Sequence, residues 1–192
     1  VSTMSQEQKR VYLDHGATTA VDPEVKKEML KYFSEEYGNA SQMYVLGQNA
    51  NAAVQEAREK VASLIGANMP REIIFNSGGT EADNMALKGV MFNKKNKKKH
   101  LITSVIEHPA ILRTAEFIET QGYKVTYLPV DNFGLVDSEE LKKAITNDTA
   151  LVSIMHANNE IGTIEPVKDL AEIAHDAGAL FHTDAVQTVG KI

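Results

Sequence analysis

The chain has 192 residues, 43% of them hydrophobic and 24% charged, with 20 Lys+Arg against 26 Asp+Glu and a formal net charge of −6. That composition suits one globular domain of ~100–200 residues with a sizeable core, and its acidic balance gives no overall footing for nucleic acid or an anionic membrane. With no cysteine present, disulfides, thiolate metal sites and a cysteine nucleophile are excluded from this chain.

Val1 to Arg10 is polar and lacks the apolar core of a signal peptide, and no later run approaches the ~20 apolar residues that cross a bilayer; a cytoplasmic location is expected. Two helices follow, over about 22–37 and 47–65. The first is opened by Asp22-Pro23, a capping residue before a proline suited to the first turn. Tyr37-Gly-Asn-Ala-Ser41 between them is turn chemistry. From position 70 onward, runs at 72–75, 100–103, 124–128, 150–154 and 179–181 read as strands that alternate with amphipathic stretches. Such alternation predicts an α/β fold with a parallel sheet. Pro109 and Pro166 open helical runs, Asp137 with Glu140 forms a capping-box pattern, and Gly66, Gly122 and Gly178 suit helix ends. Lys94-Lys-Asn-Lys-Lys-Lys99 carries no interleaved aromatic of the kind that stacks on bases, so it reads as a solvated loop.

The strongest local signal for chemistry is Ser77-Gly-Gly-Thr80, placed between the end of one predicted strand and the start of a helix. Glycines let a ligand approach the backbone, the free amides of the first helical turn point at an anion, and Ser77 and Thr80 offer hydroxyls. The spacing matches neither a dinucleotide fingerprint nor a Walker loop, so a phosphate cradle and a plain turn both remain open. His108, Asn158-Asn159-Glu160 and Asp184 with Gln187 each follow a predicted strand. They therefore share the carboxyl edge of the sheet, where ligands gather in open parallel sheets. A carboxylate beside a phosphate site is what the pyridine nitrogen of pyridoxal phosphate needs to stay protonated, and Asp184 fits that role. No histidine or carboxylate spacing suits a metal, and none is expected.

Taken together, Tyr12-Leu-Asp14 with Ala17-Thr-Thr19, Ser77-Gly-Gly-Thr-Glu81, Glu107-His108, the run Val152 to Gly162 and His182-Thr-Asp-Ala-Val-Gln187 resemble the cysteine desulfurases. These pyridoxal-phosphate enzymes release sulfur from L-cysteine. The resemblance spans about Val11 to Ile192 and implies the aspartate-aminotransferase type of fold, a large domain with a mostly parallel sheet of the seven-stranded type and a smaller second domain. Residues 1–15 would be an N-terminal arm, and 16–192 the N-terminal portion of the cofactor-binding large domain. It further implies that Gly79 and Thr80 hold the cofactor phosphate and that His108 stacks on the ring and assists proton transfer. Asn159 would contact the ring hydroxyl and neighbour the substrate carboxylate, Asp184 would pair with the ring nitrogen, and Gln187 would also reach the ring hydroxyl.

Several departures qualify that expectation. The family usually has alanine where Gly79 stands, and often a histidine within the segment written here Ser41-Gln-Met-Tyr-Val45. The lysine that tethers the cofactor and the cysteine that carries the persulfide belong, in the family, to segments after the one matching Val186 to Ile192, and Lys191 does not match the tether. The expectation is therefore the N-terminal half of a cysteine desulfurase, inactive by itself, with a homodimer and an iron–sulfur scaffold or other sulfur acceptor as partners of the intact protein. A non-catalytic cofactor- or partner-binding module and a related enzyme such as a selenocysteine lyase are the competing readings.

Overall fold

In a computed structural model describing residues 11–192, four of the five apolar runs form one sheet. Its strands are β1 (His100–Ser104), β2 (Lys124–Leu128), β3 (Thr149–Ser153) and β4 (Leu180–His182), in the order β2-β1-β3-β4 and all parallel. Leu101 pairs with Val125 on one side and Leu151 on the other, and Val152 pairs with Phe181. The two inner strands, β1 and β3, are buried at every position, as a sheet covered on both faces requires.

Side-chain alternation divides the core between those faces. Leu101 and Leu151 pack with Leu87 and Met91 of α3 (Gly79–Met91) and with Ile111, Ala115 and Ile118 of α4 (Pro109–Thr120). Ile102 and Val152 pack on the other face with Leu141 of α5 (Ser138–Ala144) and with Leu170 and Ala174 of α6 (Val167–Asp176). Each fully buried side chain of this kind stabilises the fold by about 1.5–3 kcal/mol. At the amino edge of the sheet His100 is a structural residue: its ring nitrogens bond Thr149 Oγ1 at 2.9 Å and Thr126 Oγ1 at 2.8 Å, joining three strands.

Helix ends follow the sequence signals. Asp22 caps α1 (Pro23–Ser34), accepting from the Glu24 amide at 2.8 Å, and Asp137 caps α5 through the Glu139 amide at 2.8 Å. Gly66, Gly122 and Gly178 end their helices in the left-handed region, with φ of 72°, 83° and 69°. The chain divides into two compact units, up to Ala57 and from Arg58 on, within α2 (Val45–Ile65). In the first, Ser41 N–H donates to Asn39 Oδ1 at 3.0 Å, the turn read from its residues.

Two expectations need correction. The first helix ends at Ser34 rather than near 37. No strand forms over 72–75: Pro70–Glu72 makes a 3₁₀ turn closed by the Ile73 amide on Pro70 O, and Ile73 is extended without a ladder partner. Its carbonyl accepts from the Arg58 guanidinium instead, which also lies over the Phe75 ring. A β-branched run favours extension, but a strand needs a neighbour, and the described residues supply none. The first ten residues of the predicted arm lie outside the described ones.

Candidate functional site at the carboxyl rim of the sheet

The strand order creates the site before any polar residue is placed. From β1 the chain passes through α4 to β2 on one side, and β3 lies on the other side of β1. Connections leaving neighbouring strands in opposite directions open a crevice at the carboxyl ends of β1 and β3. The residues singled out in the sequence leave from those ends. His108 follows β1, Asn159 follows β3, and Asp184 and Gln187 follow β4.

The N-terminus of α3 brings the glycine turn to these elements. Gly78 is its N-cap residue and no side chain caps it, so the first-turn amides remain as donors with the positive end of the helix dipole behind them. A Cβ on Gly79 would come within 2.9 Å of Val186 Cγ2, which places this turn against the segment after β4. Ser77 does not serve as the sequence suggested. Its hydroxyl donates to Glu81 Oε2 at 2.6 Å and its amide to the same oxygen at 2.7 Å. Thr80 stays exposed, and its side chain shares a groove with that of His108, along with Asn84, Lys88 and Arg113.

His108 has two duties. It is the N-cap of α4, its Nδ1 accepting from the Ala110 amide at 3.1 Å, so the neutral ring carries its proton on Nε2. Asp184 is half-buried; its Oδ1 accepts from the Val186 amide at 3.0 Å and its carbonyl from the His156 amide at 2.9 Å. Gln187 Oε1 accepts from Lys191 Nζ at 3.3 Å. Asn159 is half-buried in the turn after β3, which Asn158 organises: its Oδ1 accepts from the amides of Glu160 and Ile161, and its Nδ2 donates to Ile106 O at 2.8 Å.

Behind these residues lies a group of acids that spacing alone did not single out. Glu107 is 4% exposed, and its Oε1 accepts from Ser104 Oγ at 2.7 Å and from the Met155 amide at 2.9 Å. Burial pushes its carboxyl up to about 7 against the opposing pull of those two hydrogen bonds, with Asp184 and Glu165 adding repulsion. Asp83 of α3, also 4% exposed, is raised to about 6 by burial and by the charge of Asp184. Its Oδ1 lies 3.8 Å from His182 Nε2, and the other ring nitrogen of His182 bonds Ser153 Oγ at 2.9 Å. Burial holds His182 below the usual histidine range. A sequence signal did exist for Asp83 and His182, since one shares the buried side of α3 with Leu87 and Met91 and the other ends a strand-like run just before Asp184.

Among the described residues no group of three or more histidines and acids is placed to hold a metal ion, and no helix is long and apolar enough to cross a membrane. The Lys94–Lys99 segment is a loop between α3 and β1, as expected, and Lys98 Nζ spends one donor on Gly178 O at 2.6 Å.

An open parallel α/β sheet with an uncapped helix start, a histidine and a carboxylate along its carboxyl rim belongs to the class of α/β folds whose rim crevice takes anionic ligands. The chain matches the family model described as aminotransferase class-V over residues 11–192, and it belongs to that family. It is 53% identical over 184 residues to a cysteine desulfurase IscS of Dictyoglomus turgidum, covering 96% of this chain and 46% of the relative. To a probable mitochondrial cysteine desulfurase of Dictyostelium discoideum it is 50% identical, covering 97% and 41%. Among solved structures it is similar to a NifS-like protein, with a TM-score of 0.91 at 47% identity, covering 95% of this chain and 50% of that one. It is also similar to a protein described as SspA in complex with cysteine, with a TM-score of 0.88 at 40% identity. The chain spans about half the length of these relatives.

Proposed function

We propose that this chain is the cofactor-holding half of a pyridoxal-phosphate-dependent cysteine desulfurase, which releases sulfur from L-cysteine as an enzyme persulfide and leaves L-alanine. The observation that carries this reading is the uncapped start of α3 beside segments that leave β1, β3 and β4 at one crevice, together with 53% identity to a protein of that name. The donor set fits the cofactor. Free first-turn amides and Thr80 suit a phosphate, a carboxylate suits a protonated pyridine nitrogen, and the neutral His108 ring presents an N–H beyond its cap bond.

Gly79 and Thr80 would hold the phosphate, His108 would cover the ring and move a proton, and Asp184 would pair with the ring nitrogen. Asn159 and Gln187 would meet the ring hydroxyl, with Asn159 also near the substrate carboxylate. When bound, pyridoxal phosphate supplies an electron sink for bond breaking at the α carbon of an amino acid. The task of this chain is to bind, orient and keep one negative charge at Asp184. The persulfide cysteine would come from residues outside these 192, none of which is a cysteine, and the tether lysine would too, since Lys191 does not match the tether of the family. The same reading carries a homodimer, a cytoplasmic location and a sulfur acceptor such as an iron–sulfur scaffold protein.

The test is an absorbance titration with pyridoxal phosphate of the purified chain together with any polypeptide it retains. Saturable binding is expected, and Asp184→Asn should weaken it at least tenfold, because a neutral amide cannot hold the ring nitrogen protonated. Binding that is absent, or indifferent to Asp184, would sink the reading.

A further inference from the structure

Glu107 sits at a junction. It closes the turn after β1, immediately before His108, and its Oε1 also takes the amide of Met155, where the chain leaves β3 toward Asn159. The neighbouring Ile106 carbonyl accepts from Asn158 of that same exit segment. Two bonds therefore tie the β1 exit to the β3 exit across the crevice, and Glu107 supplies the buried one.

The two carboxyl oxygens differ. Oε1 accepts two hydrogen bonds, whereas Oε2 is buried with no partner among the described residues. A buried anion with one bare oxygen is costly, while a neutral carboxyl whose carbonyl oxygen takes both donors and whose hydroxyl stands on the other atom costs far less. The charges that act on it are Asp184 after β4 and Glu165 before α6, and both are acidic. Asp83 and His182 in turn act with Asp184. No cation is among the groups acting on Glu107.

We propose that Glu107 is a positioning residue of the cofactor site that works as a neutral, protonated carboxyl, latching the His108 turn to the Asn159 turn and leaving Asp184 as the charged acid of the rim. This rests on the reading of the site as a pyridoxal-phosphate site. Its function is mechanical and electrostatic together: the latch sets where two site segments lie, and the retained proton keeps a second negative charge away from Asp184.

The sign of the pH effect follows from the raised folded-state value, about 7, against an unfolded carboxyl near ~4.3. The native state binds this proton more tightly, so its share of stability is full below the unfolded value. It is lost as pH rises toward the folded one. Urea midpoints measured from about pH 4.5 to 8.5 for the parent, Glu107→Gln and Glu107→Ala test this, alongside pyridoxal phosphate affinity at about pH 6, where the parent carboxyl keeps its proton. Glutamine keeps the accepting oxygen and no charge, so E107Q should flatten the fall in midpoint below about pH 7 and bind pyridoxal phosphate within about twofold of the parent. E107A should lower the midpoint at every pH and weaken binding roughly tenfold. An E107Q profile as steep as the parent's, or an E107Q as impaired as E107A, would overturn the proposal. A parent that fails to bind pyridoxal phosphate would refute the cofactor reading and with it the latch's role at that site, whereas these two E107Q results refute the latch alone.

Discussion

His108 shows how one side chain can serve a helix and a ligand at once, and how the two duties can be separated. As the N-cap of α4 it satisfies the Ala110 amide through Nδ1. A lost cap costs about 1 kcal/mol. His108→Ala is therefore expected to lower stability by about that amount and to remove the ring from the cofactor, whereas His108→Ser restores a capping oxygen without restoring the ring. Urea denaturation should show H108S near the parent and H108A below it, while both lose pyridoxal phosphate affinity equally. If H108S binds the cofactor as the parent does, His108 is a capping residue and nothing more. The same separation explains which site residues were legible. His108, Asp184 and Asn159 were visible because each follows a strand-like run, and position alone places them on the rim. The Ser77–Glu81 pairing was not legible, because hydroxyl chemistry alone does not say which acceptor a serine takes.

At the scale of elements, the runs that became strands and the one that did not had similar composition. His100–Ser104 and Thr149–Ser153 are flanked on both sides by other strands and are wholly buried. The 72–75 run has no such neighbour, and Ile74 and Phe75 stay 63% and 50% exposed. Pairing depends on residues distant in sequence, so period and propensity locate an extended segment without deciding whether it joins a sheet. Helix ends were more legible because caps are local: Asp22, Asp137 and the three glycines act within a few residues. Amide hydrogen exchange should reproduce the contrast. Slow exchange, near the limit of global unfolding, is expected for Leu151 and Val152, and rapid exchange for Ile74 and Phe75. Equal protection of the two segments would mean that 72–75 gains a strand partner in solution. Truncation of Leu87 on one face or Leu170 on the other, both 0% exposed, is expected to lower the stability behind that slow exchange by about 2–5 kcal/mol.

For the whole molecule, the central physical fact is an imbalance. The sheet from Arg58 on buries two well-formed apolar faces, while α1 buries none of its residues and leaves Met29, Leu30 and Phe33 exposed. With no cysteine in 192 residues, and with a chain spanning about half of its relatives, the proposed chemistry needs groups that these residues do not carry. Borohydride reduction in the presence of pyridoxal phosphate, followed by intact-mass measurement under conditions that separate all polypeptides, locates the tether lysine directly. Reduction traps the cofactor on whichever lysine it is joined to. The expected outcome is that a species of 21.1 kDa carries no adduct at a specific lysine, and that a specific adduct appears only on a longer chain or on a second polypeptide. That result would mean the cofactor is held by one stretch of protein and tethered by another, with Asp184 and His108 acting on a group whose covalent bond lies elsewhere. A specific, stoichiometric adduct on the 21.1 kDa species, at Lys191 or any other of its lysines, would instead place the tether within these residues. The rim of β1, β3 and β4 would then be a complete site with a different arrangement of acid, ring and amine.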